Sequence, residues 1–228
     1  MVSASIDQSL GEMASGTHAV LIYDTQDHKR DVLLQHIKHG VGREGLVYAY
    51  ADESPNAIEA EMARRGIGPE ELIARGELTI QDSKDVYLKG GAVDVKGVVE
   101  GFSELAWKYK EKGLGGVRAA ADMSPMLREK KTKELMDYEL ALTTKFDFPG
   151  KGVCAYNLVE LYNSGSLDYM MKIFMAHSLV ILSGPSGYAI REPELAKREG
   201  LLSALHSRFP DADLRQKEGQ GFRPASLR

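Results

Sequence analysis

The sequence has little cysteine, no long apolar run and no excess of positive charge, and each absence excludes a class of protein. Cys154 is the only cysteine among 228 residues, so the chain can form neither an intramolecular disulfide nor a cysteine-based zinc cluster. A lone cysteine is typical of a reducing compartment, and we expect the protein to be cytoplasmic. No stretch approaches the ~20 apolar residues of a membrane span, and the polar N-terminus does not resemble a signal peptide.

The charge of the chain is weakly negative, and its composition is that of a globular protein. Lys and Arg number 29 against 33 Asp and Glu, a formal net charge of -4, so no broad positive field predicts nucleic-acid binding. Hydrophobic residues make up 43% and charged residues 27%, which argues against disorder for most of the chain. We expect a flexible N-terminal segment over residues 1–16, one domain over 17–209 and a flexible tail over 210–228.

Apolar runs alternate with segments of helical spacing, which is the pattern of βα units that feed a mainly parallel sheet. The runs that predict strands are residues 18–24, 45–51, 77–83, 116–123, 150–157 and 179–184. Helices are predicted over residues 27–41, from Ser54 and Pro55 onward, from Asp94 to about Lys112, and over 128–146, 167–177 and 193–208. The sequence therefore predicts an α/β fold with a mainly parallel central sheet flanked by helices.

The segment between the first strand and its helix lacks the glycine-rich loop that binds phosphates. A P-loop reads GxxxxGK[ST], in which glycines let backbone N–H groups wrap the phosphates and a lysine neutralises their charge. Here the segment reads DTQDHKRD, in which Asp24, Asp27 and Asp31 place carboxylates where phosphate oxygens would lie. Lys29 and Arg30 offer alternative counter-charges. The sequence therefore disfavours triphosphate binding in the usual mode.

Polar side chains follow the predicted strands at their carboxyl ends, where doubly wound sheets bind ligands. These residues are Tyr23, Asp24, Asp52, Glu53, Asp82, Asp122, Tyr156 and Asn157. They predict a ligand site along this edge of the sheet. The alternative is an ordinary solvated loop surface, because loops are polar by default.

Five segments occur in an order that resembles a known family. They are HAVLIYD, REGLVYAYADES, GGVRAAADMS, GVCAYN and AHSLVILSG. Together they resemble the MEDS domain, a sensory domain of methanogen and methylotroph proteins that is named partly for a dichloromethane-responsive regulator. The resemblance covers residues 18–188 and implies a degenerate relative of the KaiC and RecA ATPases. The expected fold is therefore RecA/KaiC-like without a Walker A loop.

The resemblance also implies a set of ligand-binding residues. It marks His18, Tyr23, Glu53, Arg118, Asp122, Cys154, Tyr156 and His177. From the residues themselves we add Asp24, which ends the first strand, and Glu139, a carboxylate available to Arg118. Asn157 stands where such domains often carry an aspartate, so no role that needs a negative charge is expected there.

Arg118 interrupts an apolar strand, and a buried guanidinium requires a carboxylate partner. We expect Asp122, Glu139 or Glu53 beside it, either as a structural ion pair or as part of an anion receptor. Asp122 stands where a RecA-type ATPase keeps its magnesium-directed acid, but the other ligands of that site are missing, so no metal is expected. We interpret His36 and the nearby His39 as surface residues.

Three further features have two interpretations each. His177 is either a switch or ligand-contacting imidazole, or a satisfied core histidine. Cys154 is either a thiolate nucleophile or a small apolar residue. The cluster of Met170, Met171 and Met175 forms either the wall of an apolar pocket or ordinary core. No GxSxG motif occurs, and no catalytic residue is assigned.

These observations predict a non-catalytic sensory module that binds a small organic or anionic molecule in signalling or transcriptional regulation, with no cofactor. One alternative is a divergent RecA-like nucleotide-binding protein or ATPase, and another is an oligomeric scaffold. The resembling family is often fused to a kinase or a DNA-binding segment, and this sequence shows neither. We therefore expect a signalling or regulatory protein partner, or a homo-oligomer, to transmit the output.

Overall fold

The computed structural model describes residues 4–88, 90–142, 146–164, 167–184 and 187–191. The strands in these residues are β1 (His18–Tyr23), β2 (Gly45–Tyr50), β3 (Leu78–Asp82), β4 (Val117–Asp122), β5 (Gly150–Asn157), β6 (Leu179–Leu182) and β7 (Tyr188–Arg191). The helices are α1 (Ala4–Gly11), α2 (Gln26–Gly40), α3 (Pro55–Arg64), α4 (Pro69–Ala74), α5 (Ser83–Tyr87), α6 (Val95–Glu111), α7 (Ser124–Arg128), α8 (Thr132–Leu142), α9 (Leu158–Ser164) and α10 (Leu167–Met175).

The strands form one sheet in the order β3-β2-β4-β5-β1-β6-β7. Six strands are parallel, and β7 joins β6 antiparallel at one edge. In register, His18 lies opposite Gly152 and Tyr23 opposite Asn157. The parallel arrangement confirms the predicted α/β class and brings the carboxyl ends of the parallel strands to one edge of the sheet.

Each face of the sheet carries its own hydrophobic core. One core joins the strands to helices α5 to α10, and Tyr138 and Phe174 lie within it. The other joins them to α1 to α4, and Leu33 and Met62 lie within it. All six residues of β1 are buried, because a central parallel strand is covered on both faces, which explains why its sequence is a continuous apolar run.

Local capping sets the helix starts that the sequence predicts. The Ser54 hydroxyl accepts a hydrogen bond from the backbone N–H of Ala57 at 3.3 Å, and Pro55 is the first residue of α3. The Asp94 carboxylate caps α6 in the same way, through the N–H of Gly97 at 3.0 Å. Both caps satisfy backbone donors that the first turn of a helix leaves unpaired.

The structure differs from the sequence prediction at three elements. Helix α1 occupies much of the segment expected to be flexible, and Ile6 and Leu10 on α1 are buried in the core. Where a helix is predicted over residues 128–146, α8 begins only at Thr132; a separate short helix, α7, ends at Arg128, and Lys130 between them has a φ of 57°. Strand β7 is not predicted at all. The helix expected over residues 193–208 and the tail over 210–228 lie outside the described residues.

No helix in the described part of the chain combines the length and the apolar character that a bilayer span requires.

Candidate functional site

A buried ion-pair network fills the carboxyl ends of β1, β2 and β4. The Lys29 side chain, 1% exposed, places its Nζ 2.9 Å from Oδ2 of Asp122 and 3.2 Å from Oε2 of Glu53. It also donates to the backbone oxygen of Ala51 at 3.3 Å. Arg30 forms a second bridge to Glu53 at 2.7 Å. Two cations and two carboxylates therefore neutralise each other at this end of the sheet.

Tyr23 completes the network from β1. Its hydroxyl lies 3.2 Å from Oδ2 of Asp122 and 3.0 Å from the Ser124 hydroxyl. Burial raises the pKa of Tyr23 above its ordinary value, and the charge of Asp122 adds to the rise, so the phenol stays protonated. Asp122 also accepts the backbone N–H of Ser124 at 3.0 Å. The carboxylate that would face a magnesium ion in an ATPase is thus saturated by groups of the chain itself.

The N-terminus of α2 is capped by its own side chains. The Asp24 carboxylate accepts the backbone N–H of Thr25 at 2.7 Å, and the Thr25 hydroxyl accepts the N–H of His28 at 3.2 Å. The ring of His28 lies 2.5 Å from Asp24. Nucleotide-binding folds offer these backbone donors to phosphates. Here two of them are already used, and a carboxylate stands in front of them.

A second polar cluster is buried on the opposite face of the sheet, between β1, β5 and α8. It consists of His18, Glu139, Cys154 and His177, whose ligand-type atoms all lie within 4.8 Å of one another. The Nε2 atoms of His18 and His177 each lie 3.2 Å from Oε2 of Glu139. Tyr156 donates its hydroxyl to the other carboxylate oxygen of Glu139. None of the four side chains of the cluster is more than 5% exposed.

The electrostatics of this cluster centre on Glu139. Burial alone would raise the pKa of Glu139, but the two neighbouring imidazoles outweigh it, so the pKa lies below its ordinary value and the group is ionised. Burial raises the pKa of the Cys154 thiol well above its ordinary value, and the Glu139 carboxylate adds to the rise. Cys154 is therefore a thiol, not a thiolate, in the chain alone.

A small apolar cavity adjoins this cluster. It has a volume of about 20 Å³, and residues of β4, β5, α6 and α8 line it. Cys154 forms part of its wall, together with Ala121, Tyr138, Phe146 and others. The ring of Phe146 also contacts His18, with ring centroids 5.1 Å apart. Cys154 is therefore the residue of the polar cluster that reaches the cavity, and the rest of the lining is mainly aliphatic and aromatic.

Arg118 lies away from both groups, at the amino end of β4. Its guanidinium pairs with Glu44 and donates to the backbone oxygens of Leu10 and His36 at 3.4 and 3.3 Å. The partners expected from the sequence, Asp122, Glu139 and Glu53, are all engaged elsewhere, so that prediction is wrong. The surface interpretation of His36 is also wrong, because its side chain is fully buried. Burial, followed by the Arg118 charge, lowers the pKa of His36 well below its ordinary value.

The ten residues predicted to bind ligand thus fall into three groups. Tyr23, Asp24, Glu53 and Asp122 lie at the carboxyl ends of the strands. His18, Glu139, Cys154, Tyr156 and His177 form or support the buried cluster. Arg118 belongs to neither group and lies at the amino end of β4. The sequence missed the central position of Lys29, although a lysine one turn into the helix after β1 is a signal that was available. It also missed Glu44, which no strand-end argument could have found.

Comparisons with known proteins agree with this architecture. A KaiC-like protein from the hyperthermophilic archaeon Pyrococcus horikoshii OT3 has a similar structure, with a TM-score of 0.52, 16% identity, and coverage of 80% of this chain and 81% of that one. At that identity the likeness shows the fold alone, and it confirms the RecA/KaiC-like prediction. The search of curated proteins found no significant match.

The family model of MEDS, the methanogen/methylotroph, DcmR sensory domain, matches residues 17–171. This match covers more than half of the chain and includes both the strand-end network and most of the buried cluster, up to Cys154 and Tyr156. It confirms the resemblance inferred from the five sequence segments. The chain therefore belongs to the MEDS family of sensory domains.

Proposed function

We propose that this domain senses a small, uncharged organic molecule that binds in the cavity beside Cys154. The observation that supports this proposal is a small apolar cavity with Cys154 on its wall, in a fold where Lys29 fills the space between the strand-end carboxylates Glu53 and Asp122. Ligand pockets of this kind combine apolar lining with a few polar groups that orient the ligand. A signalling or regulatory partner, or a second copy of the chain, would receive the output.

The size of the cavity supports a very small ligand. A cavity of about 20 Å³ exceeds the ~10–15 Å³ that holds one water molecule, but not by much. Methanol comes close to this size and dichloromethane needs a small expansion of the cavity, whereas a nucleotide or a sugar is far too large. A larger ligand would require the aromatic side chains around Tyr138 and Phe146 to move.

The charges around the candidate sites favour an uncharged ligand over an anion. Lys29 and Arg30 are already neutralised by Glu53 and Asp122. Lys151, which also lines the cavity, places its Nζ 2.8 Å from Oε1 of Glu44. An anion would have to displace one of these carboxylates, and breaking a buried pair is costly. Of the two ligand classes expected from the sequence, the organic one is therefore the better supported.

The proposal predicts that a one-carbon ligand raises the melting temperature of the native protein. A ligand that binds only the native state stabilises it by about 2.7 kcal/mol at 100 times its Kd, which is on the order of 5–10 °C for a chain of this length. Thermal unfolding of the full chain would be followed by circular dichroism over a concentration series of dichloromethane, of methanol and of dissolved xenon.

A cavity-filling variant separates binding from general solvent effects. Ala121→Val places two extra methyl groups on the wall of the cavity, so the rise in melting temperature should disappear. Ala74→Val adds the same two groups at an exposed position at the end of α4, so it should respond like the wild type. The proposal fails if none of the three probes raises the melting temperature, or if Ala121→Val responds as strongly as Ala74→Val.

A further inference from the structure

The buried cluster of His18, Glu139, Cys154 and His177 has the composition of a transition-metal site. Two imidazole nitrogens, one sulfur and one carboxylate oxygen are the ligand types that zinc and similar divalent ions use. They come from β1, α8, β5 and the residues just before β6, so the fold and not a local motif assembles them. Within the described residues, this is the only group of three or more His, Cys, Asp and Glu side chains with its ligand atoms gathered in this way.

The distances within the cluster match a tetrahedral ligand shell. Bonds of about 2.0–2.3 Å to a central ion separate neighbouring tetrahedral ligand atoms by roughly 3.3–3.7 Å. Oε2 of Glu139 lies 3.2 Å from Nε2 of His18 and 3.2 Å from Nε2 of His177. Sγ of Cys154 lies 3.5 Å from Nε2 of His18. The remaining pairs are within 4.8 Å, so a small contraction would close the shell.

Two of the atoms that face the centre have no hydrogen bond. Nε2 of His177 and Oε2 of Glu139 are buried and have no hydrogen-bond partner, although they lie 3.2 Å apart. A buried polar atom without a partner costs about 1–3 kcal/mol. A bound cation would remove this cost for both atoms together, because each would become a ligand.

The surrounding contacts hold the ligands in the orientation that a metal requires. Nδ1 of His177 lies 2.6 Å from the backbone oxygen of Ile173 and donates its proton to it, so Nε2 is the nitrogen that faces the centre and would bind a metal. Tyr156 donates to Oε1 of Glu139 and leaves Oε2 directed toward the centre. Hydrogen bonds of this kind from the outer side of the ligands are typical of protein metal sites.

We propose that His18, Glu139, Cys154 and His177 bind one divalent transition-metal ion of the zinc class. On binding, the Cys154 thiol releases its proton to solvent, and the thiolate and the Glu139 carboxylate balance the two positive charges of the ion. The two imidazoles bind as neutral ligands. This inference goes beyond the sensory function proposed above and does not rest on it, because the site is defined without any organic ligand.

The test uses the full chain, prepared without a polyhistidine tag, stripped with a chelator and dialysed against Zn²⁺ or Co²⁺. Elemental analysis should find one equivalent of metal per chain. The cobalt form should show a thiolate-to-cobalt charge-transfer band and the strong visible bands of tetrahedral cobalt. Since Cys154 is the only cysteine, that band assigns the metal to this cluster.

Substitutions of single ligands provide the control. Cys154→Ser should abolish the charge-transfer band, and His177→Gln should weaken metal binding by more than the roughly 10–100-fold typical of outer-shell changes. His39→Gln, a histidine outside the cluster that lies 2.9 Å from Asp7, should retain full stoichiometry. The proposal is overturned if the folded wild type binds no equivalent of either metal, or if binding survives both ligand substitutions unchanged. Thermal shifts with dichloromethane are a separate result and would not be affected by either outcome.

Discussion

Lys29 is the residue that argues most directly against nucleotide binding in the usual mode. Its ammonium group occupies the position between Asp122 and Glu53, at the edge of the sheet where an ATPase holds magnesium and phosphates. A buried ammonium is stable only when carboxylates surround it. Lys29 thus neutralises the two buried carboxylates from within the chain.

Replacement of Lys29 by methionine should destabilise the protein by about 3–5 kcal/mol, because it leaves the Asp122 carboxylate buried without its cation. Urea unfolding of the variant measures this loss directly. Lys38→Met changes an exposed lysine of the same helix and should stay within about 0.5 kcal/mol of the wild type. Adding Asp122→Asn to Lys29→Met should recover part of the loss, because the unpaired charge is then gone. Equal stabilities of the two lysine variants would contradict this account.

The sequence showed which side chains need a partner, but it did not show which residues provide that partner. Arg118 was correctly expected to need a carboxylate, but Glu44, which provides it, follows α2 and precedes β2, so no strand-end pattern marks it. His36 shares the helical spacing of Val32, Leu33 and Ile37, and that spacing already indicated a buried position. The polar neighbours Lys38 and His39 nevertheless made this end of the helix look exposed.

At the scale of elements, the strands were predictable because central parallel strands must be apolar on both faces. All six predicted strands are present, with ends that shift by one or two residues. Strand β7 was not predictable in the same way, because it is a short antiparallel edge strand after a turn. Helix α1 was overlooked because its apolar residues, Ile6 and Leu10, are few, although they have helical spacing.

The connection into β4 depends on a glycine. Gly116 has a φ of 121°, and a Cβ there would lie 1.9 Å from the backbone oxygen of Pro149. Gly116→Ala should therefore destabilise the protein by more than about 2 kcal/mol, through backbone strain and displacement of the neighbouring chain.

Gly101, in helix α6, is the control for the Gly116 substitution. It lies on the exposed side of α6, and nothing lies within 4 Å of a Cβ there. Gly101→Ala should stabilise the protein by about 0.5–1 kcal/mol, because alanine favours the helix. Urea unfolding of the two variants should give changes of opposite sign. A loss at both positions, or at neither, would show that these glycines are not distinguished by their backbone environment.

At the scale of the whole molecule, the predicted site residues form two groups. One lies on the α8 face of the sheet, and the other lies at the carboxyl ends of the strands. The family resemblance placed His18, Cys154 and His177 in one site with Tyr23 and Glu53, because a resemblance in sequence does not show which face of the sheet a side chain occupies. The structure places the first three on the α8 face, beside the cavity, and the other two in the ion-pair network. The cluster could not be found from spacing, since its four members are scattered over 160 residues of sequence.

This division gives the two halves of the molecule different roles. The strand-end ion pairs stabilise the fold, and we propose the cavity beside Cys154 as the position for a ligand. A ligand there would contact β4, β5 and α8 together. Because α8 packs against α6, binding could change how these helices pack and so be read by a partner.

The most direct test is a crystal structure of the full chain equilibrated with both dichloromethane and MgATP, in which anomalous scattering locates the chlorine atoms. The account predicts chlorine in the cavity beside Cys154, and no triphosphate at Thr25 to Arg30. A triphosphate seated against the start of α2, with Lys29 displaced from Asp122 and the cavity empty, would contradict it.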